Sequence, residues 1–145
     1  MKRPRILLAD DNERITAALQ HLLAPEFDVV DTVRDGVLLV ESAARLHPDV
    51  IVADISMPRL DGLRALTQLR KLNPDVKVVL ITMYHEPALA RFALDDGARG
   101  FVLKHLAPGE LVDAIRAALD GKTYVSSALT RGAAIRARPD PASRE

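Results

Sequence analysis

Four apolar runs of this sequence each end in polar side chains that could carry out chemistry. The five side chains are three carboxylates, a hydroxyl and an amine: Asp10, Asp11, Asp54, Thr82 and Lys104. In α/β proteins, ligands bind at the edge where the carboxyl ends of parallel strands meet. If the four runs are parallel strands of one sheet, these side chains meet at that edge. We therefore expect them to form one site.

The three acids predict a metal site. Carboxylates that converge closely repel one another, which is costly unless a cation neutralises them. The chain has no cysteine, and its four histidines lie in different segments without the spacing of metal ligands. Hard oxygen ligands of this kind favour Mg²⁺, which keeps several waters and uses few protein carboxylates. We therefore expect Mg²⁺ as the cofactor.

Asp54 is the best candidate for a nucleophile. It stands alone at the end of its apolar run, Val50–Ala53, and this run is central in the predicted sheet. A bound Mg²⁺ would screen an incoming phosphoryl group, so that a carboxylate could attack phosphorus and form an acyl phosphate. Lys104 would offer a fixed positive charge to the phosphoryl oxygens, and Thr82 would offer a hydroxyl donor.

The elements that must position these residues alternate along the chain. Apolar runs predict five strands, at residues 5–9, 27–33, 50–53, 77–81 and 100–103. A helical pattern follows each run: from residue 12, over 36–47, over 63–72, from Pro87 to a cap at Gly97, and from Pro108 to Gly121. This repeat predicts a doubly wound α/β fold, a five-stranded parallel sheet with helices on both faces. Charges at Asp28 and Asp31 favour an edge position for the second strand.

Composition and charge exclude several classes of protein. The formal net charge is zero, with 20 basic and 20 acidic residues, so the overall charge does not point to nucleic acid or anionic membranes. Too few apolar residues follow the basic N-terminus for a signal peptide, and no run is long enough to span a bilayer. We therefore expect a cytoplasmic protein. We also expect a domain at residues 1–121 and, over 122–145, a short helix around 128–135 with a linker.

The ordered set of motifs resembles the receiver domain of two-component response regulators over about residues 4–121. The matching pieces are Leu8-Ala9-Asp10-Asp11-Asn12, Asp54-Ile55-Ser56-Met57-Pro58 with Asp61-Gly62, Thr82, and Gly97-Ala98-Arg99-Gly100-Phe101-Val102-Leu103-Lys104. Each piece is weak alone, but the ordered set is highly specific. The stretch Leu80-Ile81-Thr82-Met83-Tyr84, together with the Gly-Ala-Arg-Gly-Phe segment at residues 97–101, is most similar to receivers with a LuxR/FixJ (NarL-type) helix-turn-helix output domain. The resemblance implies a flavodoxin-like sheet with the strand order 2-1-3-4-5.

The resemblance also implies a role for each acid. Asp54 would accept a phosphoryl group from a sensor histidine kinase. Asp11, Asp54 and the backbone carbonyl of Ser56 would bind Mg²⁺ directly, while Asp10 would act mainly through water. The chain would then be a signalling domain and not an enzyme, apart from its own phosphorylation by small donors and its own dephosphorylation.

Three further residues would respond to phosphorylation. By the resemblance, Lys104 would pair with the phosphoryl group, Thr82 would move towards it, and the ring of Phe101 would change rotamer. Phosphorylation adds up to about two negative charges at one point, and such a change biases a two-state element. That element is expected to be the surface of the fourth helix, fifth strand and fifth helix, through which a homodimer is also expected.

Two positions depart from the family pattern. The family often has proline directly after the lysine, where this chain has His105, so we do not assume a cis bond there. Met83 stands where many receivers have a small residue, and its bulk would narrow access to the phosphoryl group. Tyr84 and His105 are close enough to the site to modulate hydrolysis of the phosphoryl group.

Two other functions use similar residues. A Mg²⁺-dependent phosphohydrolase of the haloacid dehalogenase type also uses an aspartate nucleophile, but with an Asp-x-Asp pattern on the first strand. Here that strand ends in Asp10-Asp11-Asn12, so the pattern fails. A binding-only module with an unused acidic pocket is the other alternative. DNA binding would need an output domain. Because Ser143-Arg144-Glu145 resembles the approach to one, we expect that domain beyond residue 145, and a naturally short receiver is the alternative.

Overall fold

Apolar strands alternate with amphipathic helices, and together they build one parallel sheet covered on both faces. The structure, a computed structural model, describes residues 2–129. Its strands are β1 (Arg5–Ala9), β2 (Asp28–Val33), β3 (Val50–Asp54), β4 (Val78–Thr82), β5 (Gly100–Leu103) and β6 (Tyr124–Val125). Its helices are α1 (Glu13–Leu23), α2 (Gly36–Leu46), α3 (Gly62–Leu72), α4 (Pro87–Asp95) and α5 (Ala107–Leu119), with a 3-10 turn at Lys104–Leu106. The strand order is β2-β1-β3-β4-β5-β6, and every neighbouring pair is parallel.

This topology confirms the predicted fold class. The first five strands have the flavodoxin-like order 2-1-3-4-5, and β2, with its two aspartates, lies at an edge. The structure adds a sixth strand, β6, to the five that were predicted, and it pairs with Gly100 and Phe101 of β5. A strand of two residues is too short to show the alternation by which strands are recognised in a sequence.

The core consists of two apolar layers, one on each face of the sheet. On β1, Leu7 packs in the layer formed with α2, α3 and α4, whereas Ile6 and Leu8 pack in the layer formed with α1 and α5. The strands β3 and β4 are buried along their whole length. Strands covered on both faces need apolar side chains on both, which explains their continuous apolar runs. The polar residues at the ends of these strands are therefore positioned by a closely packed core.

Several helices begin with a capping residue at the carboxyl edge of the sheet. Asn12, Asp35 and Asp61 cap α1, α2 and α3, and each accepts backbone N–H groups of the first turn with its side-chain oxygen. Such caps satisfy donors that a helix leaves without partners. Just beyond the ends of α4 and α5, Gly97 and Gly121 have φ values of 103° and 76°, a backbone conformation that glycine adopts without strain.

A fully buried hydroxyl holds the segment after α5 against β5. The Leu103 N–H donates to Ser126 Oγ (2.9 Å), and this hydroxyl donates to Glu110 Oε1 on α5 (2.6 Å). The Ser126 N–H in turn donates to the Phe101 carbonyl (2.9 Å). The segment is thus bonded both to β5 and to α5.

The described chain ends shortly after this contact. Residues 127–129 are helical, and Leu129 is buried in the layer that contains α2, α3 and α4. The remainder of the helix predicted around 128–135 lies outside the described residues. Within residues 2–129, no helix is both long enough and apolar enough to cross a membrane.

Replacing Ser126 with alanine should destabilise the fold, because it leaves the buried Leu103 N–H without its acceptor. A buried group left unsatisfied costs about 1–3 kcal/mol, and we expect urea denaturation to show a loss of that size. The matched control is Ser127→Ala, whose hydroxyl also donates to Glu110 (3.0 Å) but lies on an exposed residue. The control should lose less than about 1 kcal/mol. Equal losses in both variants would contradict the role given to the buried hydroxyl.

Candidate functional site

The carboxyl ends of four neighbouring strands carry the five polar residues singled out from the sequence. Their positions are Asp10 and Asp11 after β1, Asp54 at the end of β3, Thr82 at the end of β4, and Lys104 after β5. These strands lie side by side in the order β1-β3-β4-β5. One edge of the sheet therefore carries the whole set.

One ammonium group joins two acids of the site. Lys104 Nζ lies 2.8 Å from Asp10 Oδ2 and 2.9 Å from Asp54 Oδ2. The three side chains are only 11%, 1% and 6% exposed, respectively. Among residues 2–129, Lys104 is the only side chain ion-paired with either acid. Charges in contact with little water between them interact more strongly than a surface pair, so this contact dominates the electrostatics of the site.

Backbone N–H groups donate hydrogen bonds to the second oxygen of each of these two carboxylates. The Asn12 N–H donates to Asp10 Oδ1 (2.9 Å), and the Ser56 N–H donates to Asp54 Oδ1 (3.1 Å). Asp10 Oδ2 is fully buried, and the ammonium of Lys104, 2.8 Å away, offsets its charge. Burying a carboxylate is costly unless it is paired, and here two buried carboxylates share one ammonium, so a further cation would relieve that cost.

The donor set fits Mg²⁺. Asp10, Asp11 and Asp54 each offer a carboxylate oxygen, and these oxygens all lie within 4.8 Å of one another. Three carboxylates beside one ammonium leave an excess of negative charge, which a cation would neutralise. Asp11 is exposed while the other two acids are buried, so the group opens to solvent on one side. Hard oxygen ligands with access to water are what Mg²⁺ requires.

Burial and ion pairing shift the pKa values of both Asp54 and Lys104. Burial raises the pKa of Asp54, and the hydrogen bond and charge of Lys104 oppose this shift without cancelling it. Burial alone would lower the pKa of Lys104, but its contacts with Asp10 and Asp54 outweigh that effect and raise its pKa. Lys104 is therefore held in its charged form beside a carboxylate whose charge is costly to bury.

Thr82 and Ser56 flank Asp54 on neighbouring segments. Thr82 is fully buried, and its Oγ1 accepts the N–H of Tyr84 (3.0 Å). Among the described residues, no hydrogen bond joins Thr82 to Asp54. Ser56 is exposed, in the loop between β3 and α3, and it contacts Asp54 through its backbone N–H.

The predicted switch and modulator residues occupy contrasting environments. Phe101 is fully buried in the layer that contains α2, α3 and α4. Met83 and Tyr84 lie in the loop between β4 and α4, where they are 70% and 53% exposed. His105 is exposed in the 3-10 turn, and the peptide bond that joins it to Lys104 is trans.

One ionic contact beside the site was not singled out from the sequence. Asp35, the cap of α2, pairs with Arg59 in the loop between β3 and α3 at 3.1 Å. The two residues are 24 positions apart. The sequence signal was limited to Asp35 before Gly36, which is typical of a helix start and does not identify a partner.

Comparison with known sequences gives a consistent result. A family model described as "Response regulator receiver domain" matches residues 6–116. The transcriptional regulatory protein DegU of Brevibacillus brevis is 32% identical over 128 residues, which cover 87% of this chain and 54% of DegU. The chain thus spans about half the length of this relative.

Solved structures share the fold. A LuxR-family two-component response regulator from Aurantimonas sp. SI85-9A1 superposes with a TM-score of 0.88 at 28% identity, covering 93% of this chain and 98% of that one. The isolated REC domain of RcsB from Salmonella enterica serovar Typhimurium, in the presence of phosphomimetic BeF3⁻, superposes with a TM-score of 0.82. Its identity is 26%, and the match covers 90% of this chain and 98% of that one. The similarity therefore includes the strands that position the candidate site.

Removing the charge of Asp54 should stabilise the metal-free protein at neutral pH. Since burial raises the Asp54 pKa, the folded protein binds this proton more tightly than the unfolded chain, whose aspartate pKa is 3.8. The stability contributed by protonated Asp54 is therefore fully present below pH 3.8 and is lost as the pH rises through the raised pKa. In EDTA, Asp54→Asn should increase the free energy of unfolding at neutral pH, and this gain should shrink near pH 3.8.

Urea denaturation at the two pH values provides the measurement. Asp75→Asn is the control, because Asp75 is an exposed acid in the turn before β4, at the opposite edge of the sheet. The same gain in both variants, or no gain from Asp54→Asn, would contradict the burial of an ionised Asp54.

Proposed function

The chain belongs to the response regulator receiver family, of the type found in LuxR-family regulators, and from this membership we propose that Asp54 is its phosphoacceptor. The observation that carries the proposal is the position of Asp54. It lies buried at the end of the inner strand β3, 2.9 Å from the Lys104 ammonium and beside two further acids. The chain would be a signalling domain that a sensor histidine kinase phosphorylates.

Phosphorylation would proceed by direct attack of the Asp54 carboxylate. A carboxylate oxygen bonds to the phosphorus of a phosphohistidine, while the bond between phosphorus and the imidazole nitrogen breaks. Lys104, already in contact with Asp54, would pair with the oxygens of the transferred group. Thr82, at the end of the neighbouring strand β4, would donate its hydroxyl hydrogen to the same group.

Four groups of this chain would hold Mg²⁺. Asp11, Asp54 and the Ser56 backbone carbonyl would bind it directly, and Asp10 would act mainly through water. When bound, the metal supplies positive charge that screens the phosphoryl oxygens. Support comes from the three carboxylate oxygens within 4.8 Å of one another and from the single ammonium that two of these acids share.

The response would travel through β4 and β5. Thr82 would move towards the phosphoryl group, and Phe101 would change its packing in response. Leu103, which directly precedes Lys104, is bonded to Ser126, so a displacement of Lys104 would also reach β6. We propose that the surface of α4, β5 and α5, with β6 along the outer edge of β5, changes on phosphorylation and supports a homodimer.

Residues outside the acidic cluster would set the lifetime of the phosphoryl group. Met83 and Tyr84 are exposed next to Thr82, where their bulk would restrict the approach of water to the phosphoryl group. His105 is exposed next to Lys104 and would act on the same step. Their effect on hydrolysis stays a prediction.

Regulation of transcription is the proposed output. DegU is a transcriptional regulatory protein, and this chain spans about half of its length. DNA binding would reside in a domain outside residues 1–145. The division at residue 121 and the cytoplasmic location stay predictions.

Acetyl phosphate tests this function directly. In the presence of Mg²⁺, the intact mass should rise by one phosphoryl group per chain, whereas EDTA or Asp54→Asn should prevent the increase. Asp75→Asn, which removes an acid at the opposite edge of the sheet, should be labelled like the wild type. Many turnovers of phosphate-ester hydrolysis would instead favour a phosphohydrolase, and an unchanged mass would favour a binding-only module.

A further inference from the structure

The loop between β3 and α3 contains a turn that is unusual for a residue with a side chain. Arg59 has a φ of 67°, in the left-handed region that non-glycine residues seldom adopt. The Leu60 N–H donates to the Pro58 carbonyl (2.7 Å), which closes a three-residue turn centred on Arg59. Turns of this kind are strained and persist only where their surroundings hold them.

The side chain of Arg59 forms an ion pair with Asp35. Arg59 Nε donates to Asp35 Oδ2 (3.1 Å), and Arg59 Nη2 donates to Asp35 Oδ1 (3.3 Å). The Asp35 side chain is 12% exposed, and its Oδ1 also accepts the Leu38 N–H at the start of α2 (2.8 Å). Two parallel hydrogen bonds fix the direction of the guanidinium as well as its distance. The turn is thus tied to the first turn of α2.

Two glycines show how closely the loop is packed. A Cβ added to Gly36 would lie 1.9 Å from the Leu60 carbonyl oxygen, so the loop backbone rests on the start of α2. A Cβ added to Gly62 would lie 2.4 Å from the Asp54 carbonyl oxygen. The far end of the loop therefore folds back onto the residue that begins it, and a shift at the turn would be transmitted to Asp54.

From these contacts we infer that Asp35 and Arg59 are positioning residues for the metal site, which keep the strained loop and its Ser56 carbonyl in place for Mg²⁺. The inference rests on the proposed function, because it takes the Ser56 carbonyl as a ligand. Neither Asp35 nor Arg59 is itself a proposed ligand. Partners behind the direct ligands commonly change metal affinity by about 10–100-fold.

A purely stabilising role would produce a different result. The Arg59 side chain is 55% exposed, and ion pairs with that much solvent contact contribute little to stability. Glycine adopts a positive φ without strain, so Arg59→Gly should leave the melting temperature unchanged or raise it. Removing a positive charge near an acidic site should by itself strengthen the binding of Mg²⁺. Weaker binding would therefore be attributable to lost positioning.

Titration of Mg²⁺ by calorimetry tests the inference on the full chain. Arg59→Gly and Arg59→Lys should each bind Mg²⁺ about tenfold more weakly than the wild type, because glycine has no guanidinium and lysine cannot make both hydrogen bonds. Arg64→Ala removes a neighbouring positive charge whose pair with Asp61 spans 4.0 Å at the surface, and it should bind at least as tightly as the wild type.

The outcomes separate this inference from the proposed function. Wild-type affinity in both Arg59→Gly and Arg59→Lys, with Mg²⁺ bound and Asp54 phosphorylated in each protein, would overturn the positioning role alone. No binding of Mg²⁺ to the wild type would overturn the proposed metal site and the positioning role together. Weakened binding in Arg59→Gly with an unchanged melting temperature would support both.

Discussion

The contact of the Lys104 ammonium with two buried carboxylates is the interaction on which the candidate site depends. Asp10 and Asp54 come from different strands and would repel each other without it. The ammonium lies 2.8 and 2.9 Å from their oxygens, and burial makes that attraction strong. With Asp11 in the same cluster, three carboxylates face one ammonium, which leaves the site two positive charges short. A divalent cation would balance the carboxylates, and the negative oxygens of a phosphoryl group would pair with Lys104.

The surrounding fold positions these charges at the ends of rigid, fully buried strands. The strands β3 and β4 are buried along their whole length, and packed interiors resist small displacements. We therefore expect a charge change at Asp54 to act through polar contacts around the strand ends and through the packing of individual side chains such as Phe101. One such contact joins Leu103 to Ser126 beside β5, and another joins Asp35 to Arg59 beside β3. The first attaches the segment after α5 to β5, and the second attaches the start of α2 to the loop that follows β3.

Much of the fold and of the site could be predicted from the sequence, because the decisive signals are local. Continuous apolar runs that end in Asp54 or Thr82 predicted buried parallel strands and their common edge, and the structure has both. The two-residue strand β6 and the pairing of Asp35 with Arg59 could not be predicted. The first is too short to show a period, and the second joins residues 24 positions apart through a backbone conformation that no residue type signals. Phe101 was assigned its role by resemblance alone, and its complete burial could be learned only from the structure.

Chemical trapping of the acyl phosphate tests most directly that Asp54 accepts the phosphoryl group. Borohydride reduces an aspartyl phosphate to homoserine, and peptide mass spectrometry then locates the changed residue. After treatment with acetyl phosphate and Mg²⁺, homoserine should be found at position 54, and it should be absent when EDTA is present. Homoserine at Asp10 or Asp11, or none at any position in protein whose mass shows a bound phosphoryl group, would contradict the assignment.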